Sequence, residues 1–574
     1  MDSSRSSTVA GDSPAQNTPA LLKNAEFNDD SKVPFLTVRT FLMAILVSMG
    51  GICFGYDTGQ ISGFLQMDNF RYQFADNRET LELSDIRTGL IVAMLSIGTL
   101  VGALIAGPIA NNRRLGRKYS ICLWCIIFCL GNVFQIAAQY PYWWIMMMGR
   151  IISGFSIGGL SVMVPAYQGE SAPAHIRGAI VCCYQLFITI GILIAYLINF
   201  GCVNLSGTPQ WRVPVGISFF WAFVLGVGIL FFPETPRHEF RHGNVESATH
   251  SIATFYGVSP RHKVVKKQLE EMQQKLAIEL EGGKPSLTEV FTGPRMFYRT
   301  ILGMTIQALQ QMTGANFFFY YGTTIFQSVG LNNPFITQII LGAVNVVTTF
   351  PGLYMVEKYG RRMCLTLGAA WMFMCYMVFA SLGYFALENP QGNDATIGYV
   401  MIVFACLFIA AFASTWGPQA WAVTSEIYPS RYRSTCIALC AASNWLFNFF
   451  IGFATPFITS DIGFSYGYLF AACNFIAVLV VYFFLPETSG KSLEEIDTMF
   501  LMRVKPWKSA KWVVPEGETL SSTDRRASEA YASRRGSRAS RSGSRANSSA
   551  QVRSNSVMEK HYAETGRAGS AHVN

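Results

Sequence analysis

Long runs of apolar residues alternate with short polar segments along most of this chain. Each run is close to the length of about 20 residues that a helix needs to cross a bilayer. The twelve runs cover 39–60, 88–110, 119–138, 143–165, 178–200, 213–232, 299–327, 335–356, 363–386, 398–424, 435–459 and 465–485. This pattern predicts an all-α membrane protein with twelve transmembrane helices.

Polar segments before, between and after these runs divide the chain into five regions. We expect two six-helix bundles, at 39–232 and 299–485, joined by a charged cytoplasmic linker with short helices at 233–298. The polar residues 1–38 predict a disordered cytoplasmic N-terminus. The region 486–574, rich in Ser, Arg and Ala towards its end, predicts a mostly disordered cytoplasmic tail.

Basic residues are concentrated in alternate loops, and this asymmetry sets the orientation of the helices. The loop 111–118 contains four Lys or Arg residues, whereas 328–334, 387–397 and 460–464 contain none. Both termini and the linker are therefore expected in the cytoplasm. The sequon that begins at Asn204 is expected outside, where it is a candidate for glycosylation.

The composition agrees with a membrane protein and argues against other classes. Of the 574 residues, 51% are hydrophobic and only 14% charged, against roughly 25% charged in soluble domains. The net charge of +9 comes from loops and the tail, so it does not indicate nucleic-acid binding. Since we find no metal-ligating cluster, phosphate-binding loop or nucleophile–base pair, we expect neither an enzyme nor a bound metal or cofactor.

Three cytoplasmic motifs of the first half recur in the same order in the second half. The corresponding pairs are Gly116-Arg117-Lys118 with Gly360-Arg361-Arg362, Glu170…Arg177 with Glu426…Arg433, and Pro233-Glu234-Thr235 with Pro486-Glu487-Thr488. An ordered repeat of this kind predicts two like-oriented bundles, the major facilitator fold, with a substrate site between them at mid-membrane.

Charged residues of these motifs could pair across the two bundles when a cytoplasmic gate is shut, and separate when it opens. The candidate gate residues are Arg117, Glu170, Arg177, Arg361, Glu426, Arg431 and Arg433. Alternatively, they only set the topology. That alternative requires basic residues but not two glutamates at matched spacing.

Amide side chains interrupt the apolar run 299–327 at Gln310, Gln311 and Asn316. An amide without a partner in hydrocarbon costs several kcal/mol, so these side chains should face a cavity or another helix. A break near Gly314 would bring them together around a polar ligand. Hydrogen bonding between helices without any ligand is the alternative.

Two charged residues lie inside apolar runs of the first half, Asp57 in the first run and Arg150 in the fourth. An intramembrane acid is expensive to bury and is a functional hypothesis by default.

Ten motifs in order over residues 39–500 carry a family resemblance. They are GICFGYDTGQISGF, GRIISGFSIGG, PAYQGESAPAHIRG, CYQLFITIGIL, PETPR, QQMTGANFFFYY, VEKYGRR, WGPQAWAVTSEIYPSRYR, NWLFNF and PETSGKSLEEID. With these motifs the chain resembles the sugar porters of the major facilitator superfamily, and most closely the fungal hexose (glucose) transporters.

The resemblance implies a sugar site in which mid-membrane amides bind hydroxyl groups and aromatic rings lie against the sugar. The implied substrate-binding residues are Gln185, Gln310, Gln311, Asn316, Asn345, Trp421, Asn444, Trp445 and Phe54. The chemistry fits independently, because an amide both donates and accepts without carrying charge.

The likeness to proton-coupled sugar porters implies that Asp57, held by Arg150, is the acid that couples a proton to sugar binding. We therefore expect hexose transport across the plasma membrane by alternating access, with proton symport. The alternatives are facilitated diffusion of hexose without a proton, and a non-transporting sugar sensor that signals through the cytoplasmic tail.

Two local features complete the sequence-based expectations. Arg113 stands where the family usually has an acid three residues before Gly-Arg, which puts the first-half charge relay in doubt. Ser528 and Ser537 each follow a pair of arginines, a pattern typical of basophilic kinase sites. A kinase or trafficking partner at the tail is one hypothesis, and a tail without such a role is the alternative.

Overall fold

The computed structural model describes residues 27–76, 79–282, 288–328, 333–387, 394–429 and 431–513. These residues are mainly helical; they form no β-strand, and an isolated bridge joins Asp29 to His262. The kinase-site candidates Ser528 and Ser537 lie outside the described residues.

Twelve helices cross the membrane, as the apolar runs predict. The first bundle contains α1 Val38–Phe64, α2 Asp85–Ala110, α3 Lys118–Ala137, α4 Trp143–Ser171, α5 Arg177–Cys202 and α6 Pro209–Gly228. The second contains α7a Met296–Met312 with α7b Ala315–Ser328, α8 Pro334–Tyr359, α9 Arg361–Leu382, α10a Asp394–Ser414 with α10b Trp416–Glu426, α11 Arg433–Ile462 and α12 Tyr466–Phe484. The all-α major facilitator fold is confirmed.

Side-chain caps fix where several of these helices begin. The Thr37 hydroxyl accepts from the N–H of Thr40 at 3.1 Å, and the Ser84 hydroxyl accepts from the N–H of Arg87 at 3.4 Å. Each cap satisfies one of the amide groups that the first helical turn leaves unpaired. These helices therefore start in the polar segments, one to three residues ahead of the apolar runs.

Glycines of the motif at 149–159 allow α2 and α4 to pack closely. A Cβ on Gly154 would stand 2.1 Å from the carbonyl oxygen of Leu95, and one on Gly158 would stand 2.1 Å from that of Thr99. Only a residue without a side chain permits this approach, which is the usual role of small residues between membrane helices.

Short helices lie between and after the membrane helices. They are Asp68–Phe74 between α1 and α2, Pro236–Arg241, Val245–Tyr256, Lys263–Gly282 and Glu289–Thr292 in the linker, and Leu493–Leu501 and the 3₁₀ segment Pro506–Lys511 after α12. Parts of the N-terminal region and of the tail, both expected to be disordered, thus have a defined structure. Residues 27–37 contact the linker, where Asp30 pairs with Lys263 at 2.6 Å, and the tail has helical segments up to Lys511.

Candidate functional site

The seventh membrane crossing is broken between α7a and α7b. Gly314 lies at the break with φ +93°, and a Cβ there would stand 2.4 Å from the Tyr376 hydroxyl oxygen. The break frees backbone carbonyls, and buried side chains satisfy them. Tyr376 donates to the carbonyl of Gly314 at 2.8 Å, and Asn474 donates to that of Thr313 at 3.0 Å. The expected break near Gly314 is confirmed.

The break brings the amide side chains of α7a, α7b and α11 into one hydrogen-bonded cluster. Asn316 donates to Gln311, which donates through Nε2 to Asn444 Oδ1 at 2.9 Å. Asn444 Nδ2 in turn donates to Gln310 Oε1 at 2.6 Å and to Gln307 Oε1 at 2.7 Å. We call these five residues the amide cluster.

The amide cluster also holds the second broken helix. Gln310 Nε2 donates to the carbonyls of Trp416 and Gly417, both at 3.0 Å, just after α10a ends. Gln307 donates to the Thr424 hydroxyl at 3.2 Å. Gln307 was not among the sequence candidates, although it is a further amide in the same apolar run, three residues before Gln310.

Burial separates two roles within the cluster. The side chains of Gln310 and Asn444 are 4% and 1% exposed, and their bonds run to neighbouring helices. Gln311 and Asn316 are only partly buried, so they have surface left for a ligand. The buried amides thus join helices, whereas binding of a ligand by the half-buried amides stays a prediction.

The first bundle presents an aromatic ring and an amide to the same region. Phe54 of α1 packs edge to face against Trp445 of α11, with ring centroids 5.4 Å apart. Gln185 of α5 is half-buried, and its Nε2 lies 3.9 Å from where a Cβ on Gly417 would stand. Candidates from both bundles thus converge next to the amide cluster.

Asn345 and Trp421 are two further sequence candidates, and neither forms a direct hydrogen bond to the amide cluster among the described residues. Asn345 of α8 is 2% exposed, and its main-chain carbonyl accepts from the Thr349 hydroxyl. Trp421 lies half-buried on α10b, where its carbonyl accepts from Thr424. The assignment of all nine candidates to a sugar site stays a prediction.

The two intramembrane charges of the first bundle lie together. Arg150 Nη1 is 3.6 Å from Asp57 Oδ2, and both side chains are fully buried. The other carboxylate oxygen of Asp57 accepts from Gln60 Nε2 at 2.6 Å. Asp57 therefore has one tight neutral partner and one looser charged partner, an arrangement in which its charge is only partly compensated.

The cytoplasmic end of the first bundle is tied by its repeated motif. Arg117 meets Glu170 through two nitrogens, each 3.1 Å from a carboxylate oxygen, and the Thr235 hydroxyl donates to Glu170 at 2.7 Å. Glu234 accepts from the main-chain N–H groups of Arg117 and Lys118 at 3.1 and 3.0 Å. The glutamate thereby caps the start of α3, where a negative charge is favourable.

The corresponding residues of the second bundle form the same main contacts. Arg361 meets Glu426 at 3.0 Å, and the Thr488 hydroxyl donates to Glu426 at 2.6 Å. Glu487 accepts from the N–H groups of Arg361 and Arg362 at 2.8 and 3.1 Å. The matched intervals in the sequence thus correspond to matched contacts.

The remaining gate candidates, Arg177, Arg433 and Arg431, contact residues of the same bundle or of the linker. Arg177 donates to the carbonyl of Ala172 at 3.4 Å, and Arg433 donates to the corresponding carbonyl of Tyr428 at 3.2 Å. Arg431 pairs with Glu289 of the linker at 3.1 Å.

The ion pairs Arg117–Glu170 and Arg361–Glu426 each join helix ends within one bundle, whereas the gate hypothesis places pairs across the bundles when the gate is shut. The reason is local: the arginine at the start of α3 or α9 reaches the end of the neighbouring α4 or α10b directly. The bundles contact each other near mid-membrane, as in the Phe54–Trp445 pair, and farther from the linker. There Ser62 of α1 lies 3.1 Å from Thr323 of α7b.

One histidine in the first-half motif has no counterpart in the second. His238 Nδ1 lies 3.1 Å from Arg117 Nη1, while the corresponding contact of Arg361 is to the Ser489 hydroxyl at 3.0 Å. Burial and the adjacent Arg117 guanidinium lower the pKa of His238 to about 4, so His238 is neutral at pH 7. The only signal in the sequence was its position directly after PETPR. Asn111 adds a weaker contact to Arg117 at 3.4 Å.

Asn204 is exposed in the turn that follows α5. This turn lies at the opposite end of α5 from Arg177, so the sequon and the gate candidates are on opposite sides of the membrane.

Comparison with known proteins identifies the family. Residues 43–500 match the family model described as "Sugar (and other) transporter". The chain belongs to this sugar transporter family of the major facilitator superfamily. Its members are transporters, so the expectation that the chain is not an enzyme is confirmed.

Individual sugar transporters match over most of the chain. A low-affinity glucose transporter of Kluyveromyces lactis is 45% identical over 501 residues, which cover 86% of this chain and 88% of that protein. A high-affinity fructose transporter of Schizosaccharomyces pombe is 43% identical over 482 residues, covering 83% and 89%. Among solved structures, the inward-open xylose transporter XylE from E. coli matches with a TM-score of 0.66 and 25% identity, covering 80% of this chain and 99% of XylE.

Proposed function

We propose that this chain carries hexoses across the plasma membrane by alternating access and couples each sugar to a proton. The relatives that match along most of its length are named for glucose and fructose, two hexoses that differ in the arrangement of carbonyl and hydroxyl groups. A site built from neutral amides suits such substrates, because each amide can donate to one hydroxyl and accept from another.

The convergence of residues from both bundles on one region carries this proposal. Gln311 and Asn316 supply half-buried amides from the second bundle, and Gln185 supplies one from the first. The Phe54–Trp445 pair supplies aromatic faces for the C–H groups of a pyranose. Since these residues belong to different bundles, a sugar bound among them would be released when the bundles rock apart.

Proton coupling is assigned to the buried pair of Asp57 and Arg150. Protonation of Asp57 would remove the attraction between the two side chains, which lie 3.6 Å apart on α1 and α4. The first bundle could then change its packing between these helices. Facilitated diffusion is the competing proposal, in which the pair only holds α1 against α4.

The gate is assigned to the two cytoplasmic clusters around Arg117 and Arg361. Each keeps its own bundle rigid through ion pairs of about 3 Å, and the bundles contact each other on the opposite face through Ser62 and Thr323. This arrangement suits a transporter open to the linker side, and XylE is inward-open in the matched structure. The distribution of basic residues supports cytoplasmic termini.

Uptake of labelled glucose by the purified protein in liposomes tests the proposal, with and without an inward proton gradient and with empty liposomes as control. Accumulation above equilibrium that requires the gradient establishes symport. If glucose only equilibrates across the membrane, with or without the gradient, the protein is a facilitator and Asp57 is not a coupling acid. Binding of glucose without flux by folded protein would favour a sensor.

A further inference from the structure

A cavity lies at the linker-side end of the second bundle. It is next to the cytoplasmic cluster around Arg361, and none of the sugar-site candidates lines it. Its volume is about 480 Å³, and its lining includes the end of α8, the start of α9, the end of α12 and the returning tail. The lining residues used below are Lys358, Arg362, Met363, Leu367, Tyr482 and Ala510.

The wall of this cavity on the membrane side is apolar and exposed at the protein surface. Met363 and Leu367 lie one helical turn apart on α9, and their side chains are 55% and 57% exposed in the protein without its bilayer. Tyr482, near the end of α12, is 46% exposed. Apolar side chains exposed along a membrane helix next to an aromatic residue mark the depth at which lipid chains meet lipid headgroups.

The lower wall is cationic. Lys358 lies over the rings of Tyr354 and Tyr359, with Nζ 5.4 and 5.6 Å from their centroids. Arg362 stacks at 4.7 Å over the ring of Tyr482 and donates to its carbonyl at 2.8 Å. Neither cation forms an ion pair with any side chain that the structure describes.

The one described carboxylate in the lining is already occupied by hydrogen-bond donors. Glu487 accepts from the main-chain N–H groups of Arg361, Arg362, Thr488 and Ser489 at 2.8 to 3.1 Å. Its charge is therefore held by the start of α9 and by the turn after α12. Lys358 and Arg362 are left to attract an anion from outside the protein.

The tail completes the cavity. Ser509 is fully buried; its hydroxyl accepts from the N–H of Glu487 at 2.7 Å and donates to the carbonyl of Pro506 at 2.6 Å. This contact holds the segment Pro506–Lys511 under α12 and places Ala510 in the cavity wall. The last turn of this segment also carries Lys508 and Lys511, which add positive charge on either side of Ala510 in the sequence.

We propose that this cavity binds an anionic phospholipid of the cytoplasmic leaflet. The phosphate lies between Lys358 and Arg362, and the upper acyl segments lie along Met363 and Leu367. Charge complementarity and an apolar wall continuous with the bilayer favour this ligand over a soluble anion, which would leave the apolar wall uncovered.

The first bundle supplies a matched control. Lys118 corresponds to Arg362 in the repeat, donates to the Leu230 carbonyl at 2.8 Å, and lies 5.5 Å from the ring of Tyr119. After its own Pro-Glu-Thr turn the chain continues directly into Pro236–Arg241. Lys118 thus has similar local bonds without the returning tail that forms the cavity.

Native mass spectrometry of the purified full-length protein tests the proposal, with phosphatidylserine and phosphatidylcholine titrated separately. We expect phosphatidylserine to bind at least tenfold more tightly. Arg362→Gln and Lys358→Gln should each weaken phosphatidylserine binding about fivefold, as expected for loss of one cation at an anionic lipid surface. Lys118→Gln should leave it unchanged. Equal binding of the two lipids, or equal losses in Arg362→Gln and Lys118→Gln, would overturn the assignment.

A cavity-filling variant and a competition experiment with soluble anions test the cavity and the acyl-chain contacts separately. Ala510→Trp retains both cations and fills the cavity, so it should also weaken phosphatidylserine binding; unchanged binding in a folded sample counts against the cavity. Inorganic phosphate and glycerophosphoserine, which lack acyl chains, should compete poorly with the lipid. Competition by inorganic phosphate at a similar concentration would make this a soluble-anion site and refute the lipid assignment.

Discussion

The two bundles are nearly alike at their cytoplasmic ends and differ at membrane depth. Arg117, Glu170 and Thr235 form the same contacts as Arg361, Glu426 and Thr488. In the membrane, the first bundle buries the charged pair Asp57–Arg150, whereas the second has a cluster of neutral amides. The repeat therefore preserves what holds a six-helix bundle together, and the departures from it carry the proposed chemistry.

The difference has a physical basis. A protonatable carboxylate can change its charge during a transport cycle, and the strength of its hydrogen bonds to a sugar would change with that charge. An amide keeps its charge state and offers a donor and an acceptor together. Under the proposed function, the coupling acid belongs to the first bundle, while most of the sugar-binding amides belong to the second.

The largest expected effect is on proton coupling in the first bundle. Asp57→Asn keeps the size of the side chain and its place beside Gln60 but removes the titratable charge. We expect gradient-driven accumulation of glucose in liposomes to be lost, while exchange of labelled for unlabelled glucose continues. Accumulation at the wild-type level would show that the coupling acid lies elsewhere.

The break in α7 is the next most sensitive feature of the second bundle. Gly314→Ala places a Cβ against Tyr376 and Phe470 at a backbone φ that is strained for alanine. We expect a loss of roughly 2–4 kcal/mol in stability, measured by thermal unfolding in detergent, together with loss of glucose binding.

A matched control for Gly314→Ala is Gly107→Ala. Gly107 lies on α2, where an added Cβ would meet nothing within 4 Å. If both variants lose stability equally, the break is not a constraint on this position.

The ligand-facing part of the amide cluster should show a moderate effect. Gln311→Ala removes one partner of Asn316 and Asn444 and one candidate donor to sugar. A neutral hydrogen bond contributes about 1 kcal/mol, so we expect the dissociation constant for glucose to rise about tenfold when a partner group is also left unpaired. Gln135→Ala is the control, since Gln135 is buried but bonds to Ser153 within the first bundle. Unchanged glucose affinity in folded Gln311→Ala would rule out this amide as a sugar ligand.

The symmetry of the cytoplasmic clusters predicts similar, smaller effects in the two halves. Glu170→Gln and Glu426→Gln should each lower the free energy of unfolding by roughly 1–2 kcal/mol, because both carboxylates are partly buried and bond to a charged group. Lys266→Gln, which removes an exposed ion pair with Glu270, should change it by less than about 0.5 kcal/mol. A large decrease in the free energy of unfolding for only one of the two variants would show that the two clusters are not energetically equivalent.

The smallest expected effect at neutral pH concerns His238, where the halves differ. Its pKa of about 4 lies below the ordinary value of 6.5, so the unfolded state binds more protons between these values. Stability should therefore fall as the pH drops from 6.5 towards 4. His238→Gln should have a flatter dependence over this range in thermal unfolding, and an unchanged slope would show that the histidine does not contribute.

Much of the fold could be predicted because its signals are local. Apolar runs of bilayer length give the membrane helices, and the recurrence of Arg117 and Glu234 at Arg361 and Glu487 gives the two bundles. The break at Gly314 was also visible, since a glycine between amides inside an apolar run is unfavourable for a continuous helix. By contrast, Gln307 was missed and the arginine–glutamate pairs were expected across bundles. Both depend on which helices are neighbours in the folded protein, and the spacing of residues along the chain does not define that.

The sequence by itself determined the twelve helices, the family and the residue types available for sugar and proton. Hydrophobicity and helical length are properties of each segment, so they can be recognised without knowing the neighbours. Only the tertiary structure decided that Gln310 and Asn444 join helices while Gln311 and Asn316 keep exposed surface, and that Arg150 reaches Asp57. Burial and hydrogen-bond partners depend on contacts between segments far apart in the chain, and those contacts exist only after the helices have packed.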